Sequence, residues 1–282
     1  MTLGIVSYGL YLPPDFESAA DVAAKAGMTM EEVRALGIER KCRPSAEDQP
    51  VAMAFKAAEQ AFGRYPAVSA SQVDVVIWTG EEYKDYIAQT ASIRLQQELG
   101  CRNAWAFDLV GQGVTLIQGL RVANDLMAGD RTVNTLLLAG GTRNVDLVDY
   151  RNRDTRFLLA SSASGGALLL KRNHPQNRLL ATAFAVDPEM ADEVYVPGGG
   201  TEHPFSPDNL GSELMFYQVA HPDRMTAYLN GRWAAELVQI TRTVTDGRSP
   251  AYLALRHLAL ADRQRVVNEL GLKPNQCLSL NE

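Results

Sequence analysis

The sequence predicts an α/β protein built on a largely parallel sheet. Apolar, strand-like runs alternate with helical periods along most of the chain, and the best strand is VDVVIWT at 73–79, whose residues 75–78 are all apolar. Continuous apolar strands are typical of a sheet that helices cover on both faces. The 282 residues, 46% of them hydrophobic and 21% charged, suffice for a large core or for two packed halves.

The elements of the first half are predicted from local patterns. Examples are the good helix formers at helical spacing in 49–62 and Gly100, which ends the helix before it. The predicted strands are 4–11, 73–79, 105–109, 135–139 and 167–170. The predicted helices are 18–25, 29–36, 49–62, 87–99 and the segment that follows Gly113.

A boundary is predicted at Lys171–Asn173, because charged residues there are followed by His174 and Pro175. We therefore divide the chain into 1–173 and 174–282. The second half repeats the strand and helix pattern more weakly, with strands at 179–186, 252–255 and 277–280 and helices at 224–244 and 261–270.

The stretch from Trp105 to Met127 has the form of an elbow. A strand leads through the turn Gly111–Gly113 into a helix that is apolar on nearly every side. The first N–H groups of a helix favour negative charge, so a cysteine at this point would have a lowered pKa and could accept an acyl group. The sequence places Gly113 there instead.

Several classes of function are not favoured. The net charge of −6 argues against binding to phosphate backbones. The N-terminus has no basic region before Pro13 and no apolar run approaches a membrane span, so we expect a cytoplasmic protein. Three widely spaced cysteines and scattered histidines predict no metal site, and we expect no cofactor.

Longer segments of the chain resemble a known family. They begin with GIVSYGLYLP at 4–13 and GIERK at 37–41, and continue with DYIAQTASIRLQQELG at 85–100, AFDLVGQGVTLIQGL at 106–120, LLLAGG at 136–141 and YLALRHLALADRQRVVNELGL at 252–272. In this order they resemble the β-ketoacyl-ACP synthase III branch of the thiolase-fold condensing enzymes. The resemblance implies two similar α/β halves that form a five-layered αβαβα core, and a homodimer.

The resemblance also implies a site. The family's nucleophilic cysteine falls on Gly113, and its histidine falls on His257. A register shift of one residue would place Gln112 at the nucleophile position instead. The family's asparagine would follow Leu280, but the chain ends at Glu282, so we expect the second half to be incomplete. We expect the Gly113 amide at the buried end of a narrow acyl tunnel, facing His257.

The implied activity is that of an acyltransferase on acyl thioesters of CoA or acyl carrier protein, in fatty-acid or polyketide-type condensation. Because Gly113 can form no thioester, two alternatives stay open: a decarboxylase or thioesterase that needs no covalent acyl-enzyme, and an inactive acyl-binding homologue. Arg40 and Lys41, with Arg43, form a basic cluster that is either solvated or docks a carrier protein or a pantetheine phosphate. The thioester would be a substrate and not a cofactor.

Overall fold

A computed structural model describes residues 2–278 of the protein. The chain forms two compact units, each assembled from separate segments. Unit 1 comprises Met1–Phe16, Cys42–Asn144 and Ser162–Thr182, and unit 2 comprises Glu17–Lys41, Val145–Ser161 and Ala183–Glu282. The division into two similar halves, 1–173 and 174–282, stays a prediction. The two units are defined by compactness, which does not show whether one half repeats the fold of the other.

The elements are numbered in chain order within the described residues. The strands are β1 (Leu3–Tyr11), β2 (Phe16–Ser18), β3 (Arg40–Cys42), β4 (Val75–Trp78), β5 (Trp105–Asp108), β6 (Thr135–Thr142), β7 (Ser164–Arg172), β8 (Val194–Tyr195), β9 (Gln218–Val219), β10 (Leu253–Ala254) and β11 (Cys277–Leu278). The α-helices are α1 (Ala19–Ala26), α2 (Met30–Ala35), α3 (Pro50–Arg64), α4 (Ala91–Leu99), α5 (Thr115–Gly129), α6 (Pro222–Ala227), α7 (Trp233–Val244) and α8 (Leu260–Glu269). A π-helical turn at Tyr228–Arg232 joins α6 to α7.

Unit 1 is built on a five-stranded sheet with the order β1-β7-β6-β4-β5. Strand β4 runs parallel to both β5 and β6, whereas β7 runs antiparallel to β6 and to β1. Four of the five strands therefore point the same way, which confirms the prediction of a largely parallel sheet. Strand β5 lies at one edge of this sheet.

Helices cover both faces of this sheet, which explains the continuous apolar sequence of β4. Because side chains alternate along a strand, Val76 and Trp78 pack with the alanines of α3 and with Leu95 of α4, whereas Val75 and Ile77 pack with the apolar face of α5. All four residues of β4 are fully buried.

Two glycines allow α3 to lie directly against the sheet. A Cβ atom at Gly9 would lie 1.7 Å from the backbone oxygen of Ala57, and one at Gly165 would lie 2.1 Å from that of Met53. Both distances are shorter than any contact between non-bonded atoms. Strands β1 and β7 therefore need glycine where the backbone of α3 crosses them.

Unit 2 contains shorter elements. Helices α1 and α2 begin at capping boxes made by Ser18 and Thr29. Helices α7 and α8 pack through Ala234, Val238 and Val266. Strands β10 and β11, which precede and follow α8 in the sequence, pair in parallel. Within its described residues, unit 2 has two-stranded pairs and no sheet as large as that of unit 1.

Two element predictions need correction, and a third is described only in part. The strand predicted at 179–186 does not form: beyond a bridge from Gly4 to Arg178 and one bond from the Leu179 N–H to Leu3, the segment is irregular. The helix predicted from 87 begins at Ala91. The last predicted strand, 277–280, is present at Cys277–Leu278, and its other residues lie outside the described part.

Candidate functional site

The predicted elbow is present in unit 1. Strand β5 ends at Asp108, and α5 begins at Thr115 after a short turn. Gln112 has a φ of 34° and Gly113 a φ of 79°. Both values lie in the left-handed region, which glycine adopts freely and other residues adopt at a cost. Glycine therefore suits the conformation of position 113.

Helix α5 is amphipathic, so the expectation of a helix that is apolar on nearly every side is wrong. Its buried face includes Gly119, Leu120, Ala123 and Met127, and its exposed face carries charged residues. Gly113 is exposed in the single chain, so the expectation of a buried position is also wrong there. Its N–H group donates a hydrogen bond to Oε1 of Glu81 at 3.1 Å.

A cavity of about 310 Å³ opens at the amino end of α5, within unit 1. Its walls combine glycines, hydroxyl side chains, one carboxylate and one leucine: Gly80, Gly113, Gly140, Gly141, Thr79, Thr115, Thr142, Ser164, Glu81 and Leu116. The volume is that of a small-molecule site. Such a wall can surround a small group and offer it hydrogen bonds.

Asp108 fixes the strand that leads into the elbow. Its carboxylate accepts hydrogen bonds from the N–H groups of Ala91 and Ser92 at 3.0 and 2.9 Å and from Nζ of Lys84 at 2.8 Å. Thr90, the N-cap residue of α4, makes no capping bond with its side chain, so Asp108 performs that role from a neighbouring strand. Burial raises the pKa of Asp108, but these bonds outweigh it and leave the pKa below its usual range.

His257 lies in unit 2. Its Nε2 is 2.8 Å from the backbone oxygen of Leu36. A carbonyl oxygen can only accept, so Nε2 carries the proton and Nδ1 is the ring nitrogen that could serve as an acceptor. The expected pairing of His257 with Gly113 stays a prediction.

The predicted basic cluster is divided between surface and core. Arg40 is exposed, whereas Lys41 is buried in unit 2. Nζ of Lys41 donates to the backbone oxygen of Leu159 at 2.8 Å and lies 3.6 Å from Oε2 of Glu17, and burial lowers the pKa of Lys41 to about 8. Its ammonium group is therefore part of a buried ion pair and not of a solvated docking surface.

Three residues of this region were not singled out from the sequence: Glu81, Thr115 and Lys84. Glu81 and Lys84 belong to the polar loop after β4, and no spacing rule shows that a loop carboxylate reaches an amide 32 residues later. Thr115 follows Gly113 by two residues, which is the one signal that could have marked it.

Within residues 2–278, no three or more His, Cys, Asp or Glu side chains are placed to hold a metal ion. Over the same residues, none of the helices has the length and apolar character needed to cross a membrane.

Solved structures show the class of fold. The chain superposes over its whole length on 86% of a 3-oxoacyl-(acyl-carrier-protein) synthase III with a TM-score of 0.83 at 18% identity. It also matches 83% of the synthase III of Pseudomonas aeruginosa PAO1 with a TM-score of 0.82 at 19% identity. The fold and the elbow thus define a thiolase-like α/β protein.

Sequence comparisons find relatives of one family. The family model described as 3-oxoacyl-[acyl-carrier-protein (ACP)] synthase III matches residues 107–188, which include the elbow, β6 and β7. The β-ketoacyl-[acyl-carrier-protein] synthase III of Rickettsia rickettsii (strain Sheila Smith) is 28% identical over 201 residues, and that of Aliarcobacter butzleri is 24% identical over 209. The chain is therefore similar in sequence to members of the 3-oxoacyl-ACP synthase III family. These matches cover 71% and 74% of the chain but 62% of each relative.

Proposed function

We propose that this protein handles acyl thioesters of CoA or acyl carrier protein, as an acyltransferase of the 3-oxoacyl-ACP synthase III type. The observation that carries the proposal is the elbow: the first turn of α5 opens onto a 310 Å³ cavity, and the Gly113 N–H group, which here donates to Oε1 of Glu81, would exchange that bond for one to the thioester oxygen. N–H groups at such a position stabilise negative charge that develops on a carbonyl oxygen.

The glycine favours a second candidate within the same chemistry. Residue 113 has no side chain to carry an acyl group, so the thioester would stay on its carrier. Decarboxylation or hydrolysis of the bound thioester needs stabilisation of an oxyanion but no acyl-enzyme. An inactive homologue that only binds the acyl group needs neither oxyanion stabilisation nor an acyl-enzyme. Gln112, also exposed and in the left-handed region, is the alternative occupant of the nucleophile position.

We assign His257 the role of polarising the thioester oxygen. Because its Nε2 donates to Leu36, the neutral ring would have to exchange that bond, or become protonated, before it could donate to a ligand. Arg40 remains the exposed member of the pair proposed for carrier docking, since Lys41 is buried. A cytoplasmic location stays a prediction from the sequence.

Titration with S-acyl-pantetheine thioesters tests this proposal, because pantetheine is common to CoA and acyl carrier protein. We expect at least one short acyl thioester to bind about tenfold or more tightly than free pantetheine. Thr142→Phe, which fills the cavity, should remove this difference, whereas Leu12→Phe at an exposed position should not. The proposal would be overturned if every acyl thioester tested bound no more tightly than free pantetheine.

We further propose that the protein is a homodimer that associates through the β5 edge of its sheet. In the described sheet β5 pairs with β4 alone, and its Trp105 is 50% exposed. Val110, Val114 and Ile117 extend this exposed apolar surface along the elbow. An open strand edge beside such a patch is typical of an interface between chains.

The dimer is tested by sedimentation velocity over a range of concentrations. Trp105→Glu should raise the dissociation constant at least about tenfold, since buried tryptophans dominate interface energies. The control is Leu10→Glu, which alters an equally exposed residue, 51% against 50%, on the opposite edge strand β1. A monomeric wild-type protein, or equal effects of the two variants, would contradict this interface.

A further inference from the structure

Glu81 is the one charged residue among the described residues that line the α5 cavity. Glycines, three threonines, a serine and a leucine form the rest of the wall. Glu81 is half-buried, and its Oε1 accepts the Gly113 N–H at 3.1 Å. The structure therefore places a carboxylate within hydrogen-bond distance of the amide to which the thioester oxygen would bind.

The backbone of Glu81 is fixed by its neighbours. Its N–H donates to the backbone oxygen of Gly141 at 3.4 Å, and its own backbone oxygen accepts the indole N–H of Trp78 at 3.4 Å. The preceding Gly80 lies so close to Trp78 that a Cβ atom there would be 2.4 Å from the indole ring. The turn after β4 thus fixes the backbone from which the carboxylate reaches the cavity, whereas the side chain keeps its rotatable bonds.

The described wall carries no activated nucleophile. Position 113 is glycine, and Oγ1 of Thr115 is buried. The other hydroxyl groups of the wall belong to Thr79, Thr142 and Ser164. A hydroxyl attacks a thioester when an adjacent base takes its proton, and among the described residues no carboxylate or histidine is hydrogen-bonded to these three. Water is therefore the attacking group that this cavity favours.

The charge of Glu81 favours hydrolysis over decarboxylation. Decarboxylation requires an acyl group that carries its own carboxylate, and in this cavity it would lie near the carboxylate of Glu81. Like charges repel at short distance, and none of the described wall residues is cationic. Hydrolysis accepts a neutral acyl group and requires a base that takes the proton of the attacking water. A carboxylate beside the amide that binds the oxyanion is such a base.

We propose that the protein hydrolyses acyl thioesters at the elbow and that Glu81 is the general base. The inference rests on the proposed handling of acyl thioesters and adds the reaction and the residue. The thioester oxygen takes the Gly113 N–H from Glu81, and the released carboxylate accepts a proton from water as the water oxygen bonds to the carbonyl carbon. The carbon–sulfur bond then breaks, the proton passes from Glu81 to the leaving sulfur, and the products are a free acid and a thiol.

Release of pantetheine from S-butyryl-pantetheine, measured with a thiol reagent, tests the inference. Wild-type protein should release the thiol faster than buffer alone. Glu81→Gln should lower kcat at least about hundredfold, the usual contribution of a general base, and change KM less than about threefold because glutamine keeps the shape of glutamate. The matched control is Glu82→Gln, which alters an exposed neighbour that does not line the cavity and should keep the wild-type rate.

Each outcome decides between the claims. If the thioester binds more tightly than free pantetheine but wild-type protein releases no thiol beyond the buffer rate, hydrolysis is wrong and the proposed function stands. If the thioester binds no more tightly than free pantetheine, the proposed function fails and this inference fails with it. A Glu81→Gln protein with the wild-type rate would overturn the role of Glu81.

A second measurement needs no variant, so it decides even if Glu81→Gln does not fold. In a single turnover of wild-type protein in ¹⁸O-labelled water, a general base sends the label into the released butyrate. Attack by the Glu81 carboxylate itself would instead leave the label in Glu81, where peptide mapping would find it. Label in the butyrate supports the proposed role, and label in Glu81 contradicts it.

Discussion

Asp108→Ala is expected to lower the free energy of unfolding by about 3–5 kcal/mol, the usual cost of removing one partner of a buried ion pair. The side chains of Asp108 and Lys84 are 14% and 11% exposed, so Lys84 would keep its charge in a poorly hydrated position. Two N–H groups at the start of α4 would lose their acceptor as well. Urea unfolding measures the loss.

Asp125→Ala is the matched control. Asp125 pairs with Arg121 at 2.7 Å, but both side chains are more than half exposed, and ion pairs on the surface contribute little to stability because water screens them. Equal losses in the two variants would contradict the role given to Asp108. Because the pKa of Asp108 is lowered in the folded state, its contribution should be complete above its ordinary pKa of 3.8 and be lost as the pH falls through the lowered value.

Much of unit 1 could be predicted because its signals are local. The strand β4 is apolar at every position since both of its faces are covered, and the run VVIW stands out for that reason. The elbow could be predicted from a strand, a glycine turn and a helical period that follow one another directly. Neither inference needed knowledge of distant residues.

The segment at 179–186 shows where a local pattern misleads. Its apolar residues are typical of a strand, yet Leu180 and Val186 are 84% and 86% exposed. A strand forms only where a partner supplies hydrogen bonds and a face to pack against, and here the backbone contacts with β1 end at Leu179. The sequence of a segment does not show whether such a partner is present.

The chemistry of the site depends on contacts between distant residues, which sequence patterns do not show. Lys41 reads as part of a basic surface cluster, but Glu17 and Tyr150 enclose its ammonium group. Glu81 reads as a residue of a polar loop, but its carboxylate binds the elbow amide. Burial and pairing of this kind depend on the three-dimensional arrangement, and they decide which charges are available to a ligand.

Gly113→Cys is expected to convert the elbow into a covalent acyl acceptor. The helix start lowers the pKa of a thiol and so favours the reactive thiolate, although the nearby Glu81 carboxylate opposes this effect. The positive φ of 79° costs a cysteine about 1–2 kcal/mol, which a folded domain of this size should tolerate. Adding Glu81→Gln to this variant should speed acylation, because it removes the opposing charge.

Gly129→Cys provides the matched control. Gly129 is exposed at the other end of the same helix, and a Cβ atom there meets nothing within 4 Å. The carboxyl end of a helix does not favour a thiolate, so this cysteine should react as an ordinary surface thiol. The native Cys42, Cys101 and Cys277 are present in every variant and set the background.

The most direct measurement is the intact mass of each protein after incubation with an acyl-pantetheine thioester, followed by peptide mapping. We expect no acyl adduct in the elbow of the wild-type protein, and acylation of Gly113→Cys at position 113 at least about tenfold faster than that of Gly129→Cys at position 129. Equal rates in a folded Gly113→Cys protein would contradict an acyl-thioester site at this elbow. An acyl group found on an elbow residue of the wild-type protein would contradict the claim that the acyl thioester stays on its carrier.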